Sequence, residues 1–69
     1  DPLTKELLYV AVSTANGCEY CIHSHTAAAK AKGMTPAMHG ELLAVVAMAS
    51  QTNALVTAMQ VEVDDAFKA

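Results

Sequence analysis

Two short interruptions, Asn16-Gly17 and Gly33-Met34-Thr35-Pro36, divide a chain of 69 residues that otherwise carries hardly any strand-like alternation. Gly and Asn tolerate the left-handed backbone of a helix terminus. Pro is tolerated at the first helical position, where its missing N–H has no intrahelical partner to lose. The interruptions therefore predict three helices. The first is a mostly apolar run through Leu3, Leu7, Leu8, Val10, Ala11, Val12 and Ala15. The second starts near Cys18 and runs to Lys32, with Gly33 as its stop. Thr35 reads as the N-cap of the third, which begins at Pro36. Within it, Ser50-Gln51-Thr52-Asn53 are residues that favour caps, so a break there competes with one long helix to about Gln60. The long helix is the favoured reading, with Val61 to Ala69 a short turn or tail. The expected fold class is all-α: a small unit of about three helices, with residues 1–69 forming a single helical domain. The chain opens at Asp1 rather than Met and is read as the ordered part, or a piece, of something longer.

A chain this short buries only about 60% of its unfolded surface. Yet 54% of its residues are hydrophobic and 14 are alanine, against one Phe, two Tyr and no Trp. Leu42, Leu43, Val45, Val46, Met48, Leu55, Val56 and Met59 leave the third helix apolar on more than one side. A helix apolar all round should be buried all round, which 69 residues cannot do alone. The small residues Ala44, Ala47, Ala49 and Ala54 allow close helix approach, so a symmetric homo-oligomer is expected.

Net charge is −3, with four Lys and no Arg. Phosphate neutralisation needs a basic face, so a nucleic-acid partner is not expected. No uninterrupted apolar run approaches the roughly 20 residues of a membrane span, and no amino-terminal signal segment is visible. A membrane role is therefore not expected either. Two cysteines three apart are not the disulfide framework of a secreted mini-protein. A cytoplasmic protein is the expectation.

The chemistry-bearing motif is Cys18-x-x-Cys21-x-x-x-His25. At about 100° per residue, Cys21 and His25 lie about 40° apart on one helix face, with Cys18 about 60° round one turn below. His23 points elsewhere. A sulfur at the first turn of a helix sits near unpaired N–H groups and the positive end of the dipole, which favour thiolate over thiol. The thiolate is the form that attacks peroxides and disulfides. His25 can serve as base toward the Cys21 thiol, and the second sulfur can trap a sulfenic acid as a disulfide. Zinc is a competing reading, because Cys18, Cys21, His23 and His25 resemble a ligand string. With His23 facing away, a tetrahedral site would need a fourth ligand from elsewhere, so no metal and no cofactor are assigned. A structural disulfide or two buried thiols is the other competitor. Glu6, taken alone, reads as an ordinary first-turn carboxylate. If buried beside the core positions Leu7 and Leu8, it would need a partner, and His25 is the obvious one. His23 and His39 are read as surface or interface residues, and Met34, Met38, Met48 and Met59 as core packing.

The stretch KELLYVAVSTANGCEYCIHSHTAAAKAKGMT, with the apolar third helix and TNALVTAM, resembles the alkylhydroperoxidase D-like, or carboxymuconolactone decarboxylase, superfamily over about residues 3–60. The redox branch of that family carries a Glu about a dozen residues before the first cysteine of a C-x-x-C-x-x-x-H motif. Glu6, Cys18, Cys21 and His25 occupy those positions. The resemblance implies thiol-dependent reduction of small organic hydroperoxides, with electrons from an external dithiol such as a lipoyl-bearing protein. It implies a Glu6–His25 proton relay, Cys21 as attacking and Cys18 as resolving thiol, and a trimer or hexamer. Physics leaves the order of the cysteines open, because Cys18 has the better helix-terminus position. One departure stands out. Some peroxidase members have a His just before the second cysteine, where this chain has Tyr20, so a relay leaning on that His would lack a member. The decarboxylase branch generally lacks the cysteine pair. The competing functional readings are a non-catalytic fragment or scaffold subunit of the superfamily whose dithiol is vestigial, or a thiol-based redox sensor.

Overall fold

The computed structural model describes residues 1–68 and is all-helical: α1 (Pro2–Asn16), α2 (Glu19–Ala31), α3 (Pro36–Ala58) and a single 3-10 turn, Asp65–Phe67. The expected tail from Val61 ends at Ala69, which lies outside the described residues.

Local chemistry sets the boundaries. The Asp1 carboxylate accepts the Thr4 N–H at 2.9 Å and the Thr4 hydroxyl at 3.0 Å, ahead of Pro2 in the first turn. At the other end Gly17 adopts φ 70°, a left-handed conformation in which Cβ would be disfavoured. That geometry lets the Cys18 N–H return to the Ser13 carbonyl at 3.0 Å, closing α1 and turning the chain into α2 within two residues. The same device recurs around Gly33, where Met34 N–H bonds the Ala29 carbonyl at 2.9 Å. Thr35 caps α3 by accepting the Met38 N–H at 3.1 Å. The Ser50–Asn53 stretch does not break α3. Thr52 turns its hydroxyl onto the Met48 carbonyl at 3.0 Å, satisfying the side chain inside the helix.

α1 packs against both other helices, while α2 and α3 do not meet each other among the described residues. The buried side chains are few: Val10 and Ala29 are fully covered, with Ser13 and Met34 nearly so. Ser13 and Ala29 are small, which lets α1 and α2 approach closely around Val10. No residue of α3 is buried.

Two expectations need correction here. Met34 is core, but Met48 and Met59 are 63% and 72% exposed, because the single chain has nothing to lay over the outer side of α3. The length argument against a membrane span also fails. α3 has 23 residues and an 18-residue window of mean hydropathy 1.2, long and apolar enough to cross a bilayer by length and composition. Counting uninterrupted apolar runs missed this, since the many Ala, Val and Leu residues outweigh the polar stretch at Ser50–Asn53.

Candidate dithiol site

The candidate residues come together on the α1–α2 hairpin. Cys18 is the N-cap of α2 rather than a residue of its first turn, with extended φ −84° and ψ 93°. The helical spacing expected from Cys18 to Cys21 therefore does not apply. Its Sγ folds back over the helix start and accepts the Cys21 N–H at 3.4 Å. Cys21 and His25 are within α2, four apart and so on one face. Both sulfurs are unbridged and half-buried.

The two thiols differ in kind. The Cys21 thiol beside it, and then the Cys21 backbone N–H, hold the Cys18 thiol below its ordinary pKa by favouring the thiolate. The same thiol contact, followed by desolvation and repulsion from the Cys18 charge, pushes Cys21 up. Within the pair the negative charge is therefore favoured on Cys18 over Cys21.

Glu6 meets the partner expected for it. Its Oε2 lies 2.6 Å from His25 Nδ1, with the two side chains only 17% and 28% exposed. An ionised carboxylate only accepts, so Nδ1 carries the proton and donates, leaving Nε2 as the other ring nitrogen of His25. Two neighbours were not anticipated. Lys32 Nζ stands 3.9 Å from Glu6 Oε1. Tyr9, one turn after Glu6 on α1, stacks its ring on the His25 imidazole at a centroid distance of 4.0 Å and an interplanar angle of 8°. That Tyr9 shares a face of α1 with Glu6 follows from their spacing of three, but its contact with His25 depends on how α2 lies on α1.

No hydrogen bond joins His25 to either sulfur among the described residues. Nor does any group of three His, Cys, Asp or Glu side chains converge as a metal would require among those residues. His23 is exposed on the outer side of α2, in a shallow depression with Glu19, Tyr20 and Ser24. Tyr20, at the position of the family His, is 83% exposed.

The model of the carboxymuconolactone decarboxylase family matches residues 1–62. The chain belongs to that family. Within it, this member is alkylhydroperoxidase D-like. A solved core of the alkylhydroperoxidase AhpD of Rhodospirillum rubrum is 72% identical and superposes with a TM-score of 0.94, covering 97% of this chain and 49% of that one. The alkyl hydroperoxide reductase AhpD of Solibacter usitatus is 36% identical over 64 residues, which are 93% of this chain and 34% of that protein. This family member thus spans about half the length of the solved relative and a third of the curated one.

Proposed function

We propose that the chain is a dithiol oxidoreductase that reduces small organic hydroperoxides. The observation that carries this reading is the Cys18 sulfur, held as the favoured thiolate at the N-terminus of α2 with a second thiol beside it. The names of both relatives point the same way. In the first step the Cys18 thiolate attacks the terminal oxygen of R–O–O–H. The O–O bond breaks, the alcohol leaves with a proton, and Cys18 becomes a sulfenic acid. Cys21 then attacks that sulfur, water departs, and an S–S bond forms. The hydroperoxide gains two electrons and the dithiol loses two. An external dithiol of the lipoyl type, reacting by two thiol–disulfide exchanges, restores the pair. His25 Nε2, with Glu6 holding Nδ1, is the group suited to take the Cys21 proton or give one to the departing alkoxide.

This order reverses the one the family pattern implies, in which Cys21 attacks. Cys18→Ser and Cys21→Ser variants separate the two orders, because only the variant keeping the attacking sulfur forms a trappable sulfenic acid with a hydroperoxide. A working dithiol suits a reducing compartment such as the cytoplasm. The apolar surface of α3 is read as a contact between copies rather than with lipid, since Ser50, Gln51, Thr52 and Asn53 place polar groups within it.

Treating the reduced protein with cumene hydroperoxide should yield one intramolecular Cys18–Cys21 disulfide, reversible with dithiothreitol and visible by mass spectrometry. An intermolecular product, or sulfonic acid on a single cysteine, would overturn the mechanism. A redox-sensing role is the second reading, favoured by the missing His25–sulfur hydrogen bond and by Tyr20. A sensor forms the disulfide once and does not turn over with a lipoyl dithiol.

A further inference from the structure

The contact between Tyr9 and His25 is not explained by the disulfide chemistry itself. We propose that Tyr9 is a positioning residue, whose ring fixes the plane of the His25 imidazole so that Nδ1 stays on Glu6 and Nε2 is the nitrogen left to move protons. This builds on the proton-moving role given to His25 above.

The two α1 side chains act on different parts of the ring. The Glu6 carboxylate anchors one atom at 2.6 Å. One anchored atom does not fix a plane, because χ2 of His is a broad, roughly two-fold torsion. A half-turn of the ring would exchange the Nδ1 and Cδ2 edges and withdraw Nδ1 from Glu6. The Tyr9 ring, stacked on the imidazole at a centroid distance of 4.0 Å and 8° from parallel, opposes that rotation. Pairs of neutral aromatic rings prefer offset or edge-to-face arrangements. Attraction between the phenol face and a cation adds to this contact while the imidazole holds a proton in transit. The contact is made by ring faces, so the phenol ring rather than its hydroxyl carries the effect. Both anchors come from one turn of α1, so they move together with respect to α2.

Tyr9→Phe and Tyr9→Trp keep an aromatic face, whereas Tyr9→Leu keeps bulk alone. Two measurements on the intact protein test the proposal. The first is the tautomer population of His25 by nitrogen-15 NMR of the imidazole. The second is the rate of cumene hydroperoxide-driven thiol loss across pH. Phe and Trp should preserve the single Nδ1–H tautomer and stay within about twofold of the unmodified rate. Leu should mix the two tautomers and slow thiol loss about 2- to 12-fold, the range an aromatic pair supplies. A Tyr9 that merely packs would leave the tautomer population and the shape of the pH profile unchanged in Tyr9→Leu while lowering its melting temperature. That result overturns the proposal, as does a Tyr9→Phe variant as impaired as Tyr9→Leu. If the unmodified protein shows no hydroperoxide-driven thiol loss, the proposed function fails, but the tautomer measurement still decides the role of Tyr9.

Discussion

The α1–α2 hairpin and α3 solve different problems. In the hairpin the candidate site residues are linked to one another or to backbone: Glu6 with His25 and Lys32, His25 with Glu6 and Tyr9, Cys18 with the Cys21 N–H. Its buried residues, Val10, Ser13 and Ala29, draw the two helices together. Among the described residues α3 has no such network and no buried residue, yet it presents Val45, Met48, Leu55 and Val56 to solvent, as does its C-cap Met59. The contacts of the candidate site thus lie within one chain, whereas the apolar surface of α3 is left uncovered by it. The proposed chemistry and the proposed assembly fall on separate helices, joined through α1.

The comparison breaks first at the hairpin if it is wrong. His25→Ala or Glu6→Gln should slow hydroperoxide-driven thiol loss by about 10²–10⁴-fold at neutral pH, with helical content by circular dichroism nearly unchanged. His23→Ala, on the exposed side of α2, should change little. Equal losses from His23→Ala and His25→Ala would show that the Glu6–His25 pair is not the working one.

On α3 the sharpest substitution is Leu55→Asp. Leu55 is 52% exposed in the single chain, so a charge there leaves the hairpin alone but enters any contact between copies. Sedimentation should report an association weakened about 100-fold or more. Val46→Asp, at a half-buried position, should combine dissociation with loss of folding. A stable monomer of the unmodified chain by light scattering would remove the assembly from the comparison altogether.

The thiols provide a smaller effect with a defined sign. Cys18 is lowered, so its contribution to stability is present above the ordinary thiol pKa and is lost as pH falls through the lowered value. Cys21 is raised, so its contribution is present below the ordinary value and is lost as pH rises through the raised one. The two oppose each other, which makes reactivity a better readout than melting. Iodoacetamide labelling followed by peptide mapping should find Cys18 modified first as pH rises toward about 8.5. Labelling that begins at Cys21 would reverse the assignment of the charge.

The smallest effect lies at the end of α3. Gln60 takes a positive φ of 53° there, while Val61 N–H closes onto the Val56 carbonyl at 3.0 Å. A side chain in that conformation is strained, so Gln60→Gly should stabilise the fold by about 0.5–1 kcal/mol in denaturant unfolding. A destabilised variant would mean that the Gln60 side chain makes a contact worth more than the strain.

Much of the fold was legible in the residues. Gly17, Gly33, Thr35 and Pro36 are punctuation with a physical mechanism, and the helices start and stop within a residue or two of where those residues place them. The meeting of Glu6 with His25 was legible through the need of a part-buried carboxylate for a partner. What escaped depends on three-dimensional context. Cys18 became an N-cap although Ser, Thr, Asp and Asn are the usual caps, and nothing in its neighbours announces a sulfur in that role. Tyr9 and Lys32 reach the Glu6–His25 pair only because the Gly17 turn sets how α2 lies on α1. Met48 and Met59 were misread because a helix apolar on every side gives no clue to which side its own chain will cover.

The tight turn at Gly17 also bears on when the site comes into being. The longest sequence separation among its contacts is that from Lys32 to Glu6, and the pair at its centre, Glu6 and His25, is 19 residues apart. Contacts this local close quickly, since bringing together the ends of a loop of about ten residues takes roughly 10–100 ns, and helical hairpins rank among the fastest-folding topologies. Everything the candidate site uses lies between Glu6 and Lys32, so it can form on a chain still emerging from the ribosome, before α3 is complete and before any second copy is met. Two thiols would then be exposed to oxidants ahead of any quaternary shelter, and their redox state would be set at the pace of synthesis rather than of assembly.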